Sequence, residues 1–117
     1  MTPGLEHRSA GQTGQLALDT GHRYLVRRHV IAAGDGLASM AHLHRDETWV
    51  IVQGTARVTM GGRAQLVSEG QSLVVPAATG HRLENPGHIP LIMIAVLTGD
   101  YLGEDDQMMA DLTPNLS

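Results

Sequence analysis

The stretch "AHLHRDETWVIVQGTARVT", Ala41–Thr59, sets His42 and His44 one residue apart and follows them with a carboxylate, Glu47. An apolar run then leads to Gly54. Side chains alternate across a strand, so His42 and His44 share a face. From Glu47 the same rule puts Trp49, Ile51 and Gln53 on one face and Val50 and Val52 on the other. Both faces are largely apolar, as expected of a strand in a closed or two-layered sheet. A turn or bulge at Arg45–Asp46 is expected to restore the register, so that His42, His44 and Glu47 converge near the mouth of a barrel.

Outward from this stretch, short β-type runs alternate with turn signals. "HRYLVRRHVIA" lies between Gly21 and Gly34, and "ARVTM" ends at Gly61–Gly62, a two-residue hairpin signal. "AQLVSEG", "SLVVPAA", "HRLENPG" and "PLIMIAVLTG" follow. Turns recurring at this spacing mark an all-β sandwich or barrel. Residues 1–15 are rich in Gly, Ser and Thr and are expected to form a flexible arm. The barrel is expected over 16–103. The tail, 104–117, has room for one short helix in "EDDQMMADL".

Composition removes several classes of function. The chain has 117 residues, one domain's length, and a formal net charge of −4. It shows no basic run, which argues against nucleic acid or an anionic membrane surface as partner. No apolar run approaches the ~20 residues of a membrane-spanning helix. All eight basic residues are arginine, so a lysine Schiff base is excluded. There is no cysteine, hence no disulfide, thiolate ligand or thiol nucleophile, which agrees with a cytoplasmic setting.

Histidines joined by one carboxylate suit a borderline divalent cation such as zinc, iron, manganese or nickel. A further candidate ligand is His81, delivered by a turn signalled by Pro76 and Gly80. His7, His22, His29 and His88 stand in no ligand pattern and are read as ordinary polar residues. "GEDD" (Gly103–Asp106) lacks the alternating ligand spacing of a calcium loop.

Two spaced patterns go further than His-x-His. Gly36, His42, His44, Glu47 and Gly54 follow the first cupin motif, with the outer spacings of that motif and a shortened His44–Glu47 gap. Gly70, Pro76, His81 and Asn85 follow the second, with Ala78 where glycine is usual. The chain therefore resembles a single-domain cupin, a double-stranded β-helix or jelly-roll barrel of two antiparallel sheets. "HLHRDETWVIVQGTARVT", "HRLENPG" and "YLGEDD" bring it closer to one branch. It is similar to the C-terminal cupin domain of the type II phosphomannose isomerases, the bifunctional mannose-1-phosphate guanylyltransferase/mannose-6-phosphate isomerases. The likeness runs from about Gly21 to Asp106, with Leu43 and Thr48 replacing histidines of that pattern.

The resemblance implies one divalent metal, zinc as first choice, on His42, His44, Glu47 and His81. It implies aldose–ketose isomerisation of a phosphorylated sugar such as mannose 6-phosphate, a small-molecule substrate. Glu47 and Glu84 are then the candidates for proton transfer, and Arg45 and Arg82 for the phosphate. Strand parity sets Arg82 and Glu84 opposite His81. Two other roles use the same ligands: an iron-dependent dioxygenase, and a non-catalytic cupin that binds a metal and a sugar. The run "LIMIAVL", apolar on both faces, predicts a homodimer through sheet extension or face packing.

Overall fold

The alternation read along Glu47–Val52 is what divides inside from outside in the folded chain. The structure is a computed structural model, and it describes residues 12–39 and 45–99. Among them the elements are β1 (Gly14–Thr20), β2 (Tyr24–Ile31), β3 (Gly36–Ser39), β4 (Arg45–Gln53), β5 (Thr55–Met60), β6 (Arg63–Ser68), β7 (Ser72–Val75), β8 (His81–Glu84) and β9 (Leu91–Gly99). They form a five-stranded sheet of order β1-β2-β9-β4-β7 and a four-stranded sheet of order β3-β8-β5-β6. Every pairing is antiparallel. The expected all-β fold of two antiparallel sheets is the fold observed.

The two inner faces make one core. Ile51, Met93, Ala95 and Leu97 line the five-stranded sheet, and Ala56, Val58 and Leu83 face them from the other. Gly61 and Gly62 close the β5–β6 hairpin with φ of 56° and 77°, the paired left-handed conformation that a two-residue hairpin needs. The turn predicted before His81 is also present, since β7 ends at Val75 and β8 begins at His81.

The arm boundary needs correction. Gly14 and Gln15, expected in the arm, open β1 and pair with Val30 and His29. Thr13 is tied down as well: its hydroxyl accepts from Ala32 N–H at 3.0 Å and donates to Asp35. These partners are distant in sequence, and local composition carries no trace of them. The rest of the arm, 1–11, and the tail with its expected helix lie outside the described residues.

At the end of β8, Asn85 locks three segments together. It is 2% exposed. Its Nδ2 donates to the carbonyls of Ile31 and Ile89, each at 2.8 Å, and its Oδ1 accepts from Gly87 N–H at 3.0 Å. Its backbone is paired too, with Asp35 and Gly34.

Candidate functional site

β4 pairs with β9 without a break from Arg45 to Ile51. The bulge expected at Arg45–Asp46 is therefore not there, and the irregularity falls instead between Ile51 and Gln53. Regular pairing puts Arg45, Glu47, Trp49 and Ile51 on the inner face, and all four are buried. Val50 and Val52 face outward and are exposed, as the parity predicted.

A carboxylate 6% exposed in a barrel wall needs strong partners. The Trp49 indole N–H donates to Glu47 Oε1 at 2.9 Å, which fixes the carboxylate's direction. The same indole meets the His81 ring edge-on, with centroids 5.0 Å apart and planes at 69°. Trp49 thus links an acid on one sheet to an imidazole on the other.

The tautomer of His81 follows from its neighbour. Its Nδ1 lies 3.2 Å from the Thr79 carbonyl. A carbonyl only accepts, so Nδ1 carries the proton and the buried Nε2 holds the lone pair. That is the form in which histidine ligates a divalent metal, its other nitrogen held by a carbonyl. Glu47 and His81 therefore fit two positions of a mixed oxygen–nitrogen donor set. The other two expected ligands, His42 and His44, lie outside the described residues, among which no cluster of three metal-ligating side chains occurs.

The loop that delivers His81 is under strain. Asp46 Oδ1 accepts from Ala77 N–H at 2.6 Å, tying the loop to the start of β4. Ala78 then takes φ of 62°, where a Cβ costs about 1–2 kcal/mol. Glycine at this position relieves that strain but orders a more flexible residue, at about 0.5–1 kcal/mol. The Ala78→Gly chain is expected to gain ~0.5–1 kcal/mol, and its melting temperature to rise by a few degrees in a thermal scan.

Arg45, expected to bind substrate, is 3% exposed and shares the inner face with Glu47. Arg82 and Glu84, expected as substrate ligand and base, need correction. His81 and Leu83 are the buried residues of β8, and Arg82 and Glu84 alternate with them on the outer face of the four-stranded sheet. The Arg82 side chain is 63% exposed and stands 3.7 Å from the Glu84 carboxylate, an exposed ion pair of little energetic weight. Neither reaches the inner wall that carries Glu47 and His81.

Two interior residues escaped the sequence reading. Leu25, Arg27, His29 and Ile31 alternate along β2, whose pairing with β9 is unbroken. Leu25 and Ile31 both pack in the core, so Arg27 and His29 between them share the inner face. The bracketing apolar residues were the available signal. Burial lowers the pKa of His29 below its ordinary 6.5; the Glu47 carboxylate partly opposes this and Arg27 reinforces it. His29 is thus neutral in the folded chain where an exposed histidine would charge. As pH falls below 6.5, the unfolded chain takes up a proton that the folded chain refuses, so stability falls. Urea unfolding of metal-stripped protein between pH 7.5 and 5 is expected to show this loss, and His29→Gln to flatten it.

Comparison with known proteins adds the family. Residues 6–111 match the family model described as Mannose-6-phosphate isomerase C-terminal. The chain belongs to that family. The ManC mannose-1-phosphate guanylyltransferase of Salmonella typhimurium is 49% identical over 90 residues, 77% of this chain and 19% of that protein. Mannose-1-phosphate guanylyltransferase 2 of Escherichia coli O157:H7 is 46% identical over the same shares. The chain thus spans about a fifth of the length of the curated relatives it matches. Among solved structures, a double-stranded β-helix protein from Klebsiella pneumoniae matches with a TM-score of 0.73 at 21% identity, over 83% of this chain and 80% of that one. The Cnp3 cupin domain of Schizosaccharomyces pombe also scores 0.73, at 16% identity over 86% of this chain and 75% of that one. These likenesses establish the fold: this member of the mannose-6-phosphate isomerase C-terminal family has the cupin fold. Among the described residues no helix is long and apolar enough to cross a membrane.

Proposed function

We propose that this cupin is a metal-dependent domain that binds a phosphorylated sugar and interconverts its aldose and ketose forms, with mannose 6-phosphate as the reference substrate. The observation that carries the reading is the Glu47–Trp49–His81 arrangement, a buried acid and a metal-competent imidazole held on opposite walls by one indole. His42, His44, Glu47 and His81 would hold the ion, zinc first, with iron, manganese or nickel as alternatives. A divalent ion bound there would supply Lewis acidity toward a sugar carbonyl. Trp49 keeps Glu47 oriented, and the Thr79 carbonyl keeps the His81 lone pair inward. Arg45 contributes positive charge on the same wall. The isomerisation moves one proton between neighbouring carbons, and the side chain that carries it must face this interior. Glu84 does not meet that condition; Glu47 does. The proposed setting is the cytoplasm, in keeping with a cysteine-free chain.

The test is interconversion of mannose 6-phosphate and fructose 6-phosphate by protein loaded in turn with zinc, manganese, iron and cobalt. Turnover that depends on the metal supports the reading. Metal-containing protein with no turnover under any ion contradicts it. Oxygen uptake by the iron form would favour the dioxygenase alternative, and sugar binding without turnover the non-catalytic one.

We further propose a homodimer through the outer face of the five-stranded sheet. Val26, Val30, Ile92, Ile94 and Val96 share that face by register, with Arg28 among them. Val50, Val52 and Val74 extend it and are exposed, Val52 at 52% and Val74 at 56%. A patch of this kind on a sheet marks an interaction surface, and a second copy covers it symmetrically. Sedimentation at micromolar concentration is expected to give twice the monomer mass, and Val52→Asp to halve it. A monomeric parent chain would refute the dimer.

A further inference from the structure

A phosphorylated sugar needs positive charge at its far end; of the two arginines expected there, Arg45 lies on the inner wall and Arg82 faces solvent on the outer face. The inner wall carries a second one. Cross-strand register aligns Arg27 of β2, Ala95 of β9 and Trp49 of β4 in a single row. Ala95 between them is fully buried in the core. Two strand spacings, about 10 Å, separate the Arg27 backbone from that of Trp49, the residue that orients Glu47 and touches His81. In the adjacent row His29 aligns with Met93 and Ile51.

His29 supplies the second observation. Its Nδ1 is buried and has no hydrogen-bond partner among the described residues. Leaving a buried ring nitrogen unpaired is costly, and such groups in a stable fold call for an explanation, often a bound molecule. The charges of both Glu47 and Arg27 are felt at the ring, so all three act within one interior.

We propose that Arg27 and His29 form a ligand-holding wall of the barrel: Arg27 receives the anionic group of a phosphorylated sugar, and His29 bonds a neighbouring hydroxyl. The inference rests on the reading that the interior takes a phosphorylated sugar. It does not need that sugar to be isomerised. Arg27 offers the planar fork suited to phosphate, and it stands on the same inner face as Glu47.

Binding by the zinc-loaded full chain tests this by calorimetry, with mannose 6-phosphate, mannose and inorganic phosphate as probes. Arg27→Gln is expected to weaken mannose 6-phosphate about tenfold or more and to leave mannose unchanged, as loss of a charged hydrogen bond should. His29→Gln is expected to weaken both sugars several-fold. Arg82→Gln, the outer-face control, is expected to change neither. Zinc content equal to the parent's shows that each variant has kept its site. In protein with 15N-labelled histidine, mannose 6-phosphate is expected to shift the His29 ring resonances, a readout that needs no variant to fold. Unchanged mannose 6-phosphate affinity in Arg27→Gln would overturn the inference. So would equal losses in Arg27→Gln and Arg82→Gln, a still His29 ring, or no binding of the phosphorylated sugar at all. Arg27-dependent binding without turnover would uphold it while removing the isomerase reading.

Discussion

Asn85→Ala is expected to lose about 3 kcal/mol or more of folding stability, which for a domain of this size lowers the melting temperature by ~10 °C or more. Asn85 satisfies the Ile31 and Ile89 carbonyls and the Gly87 N–H with one side chain. Alanine strands these groups around a buried site that water must enter or leave dry. Each stranded buried group costs roughly 1–3 kcal/mol, and the bonds belong to one network, so the losses do not simply add. The end of β2, the turn after β8 and the entry to β9 loosen together. Asp in place of Asn keeps the acceptor for Gly87 N–H but loses both N–H donors and adds charge, so Asn85→Asp is expected to be at least as damaging. Urea unfolding followed by circular dichroism measures both variants. A loss under about 1 kcal/mol for Asn85→Ala would show that the turn holds without its side chain.

The second large effect is expected at Glu47. Glu47→Gln keeps the size of the side chain and an oxygen for the Trp49 indole N–H, so the fold should hold to within about 1 kcal/mol. The charge that faces a cation is gone. Even groups that only orient a metal's ligands change affinity by about 10–100-fold, so removing a ligand's charge is expected to exceed ~100-fold. Trp49→Phe keeps the ring beside His81 but frees the carboxylate, and its expected loss is the smaller 10–100-fold. Competition with a chromophoric zinc chelator reads both. Glu47→Gln binding as tightly as Trp49→Phe would show that Glu47 is no ligand.

The sequence carried the architecture where its signals were local. Gly61–Gly62 fixed a hairpin because only glycine takes two successive left-handed residues cheaply. The Glu47–Val52 alternation named the faces of β4 correctly because that strand is regular. Parity also separated Arg82 and Glu84 from His81, which the structure bears out. What was hidden depended on distant partners. "LVRRHVI" shows no clean alternation, since both faces of β2 mix charged and apolar groups, so Arg27 drew no reading and His29 read as an ordinary polar residue. Their inward direction becomes plain only when Leu25 and Ile31 are seen packing on the same core. β1 is paired through Gly14 and Gln15, poor strand formers whose place is set by the open edge of β2. Of the four candidate metal ligands, Glu47 and His81 are buried on different sheets, and His42 and His44 lie outside the described residues. The role of Trp49 between Glu47 and His81 required the geometry.

The most direct test of the account is the zinc content of the purified chain beside that of His42→Ala/His44→Ala and His81→Ala, measured by elemental mass spectrometry after dialysis. One zinc per parent chain, with its loss in both variants, is the result predicted. Variants that keep the parent's zinc while remaining folded would contradict it and leave the buried acid and imidazole without the metal that explains them.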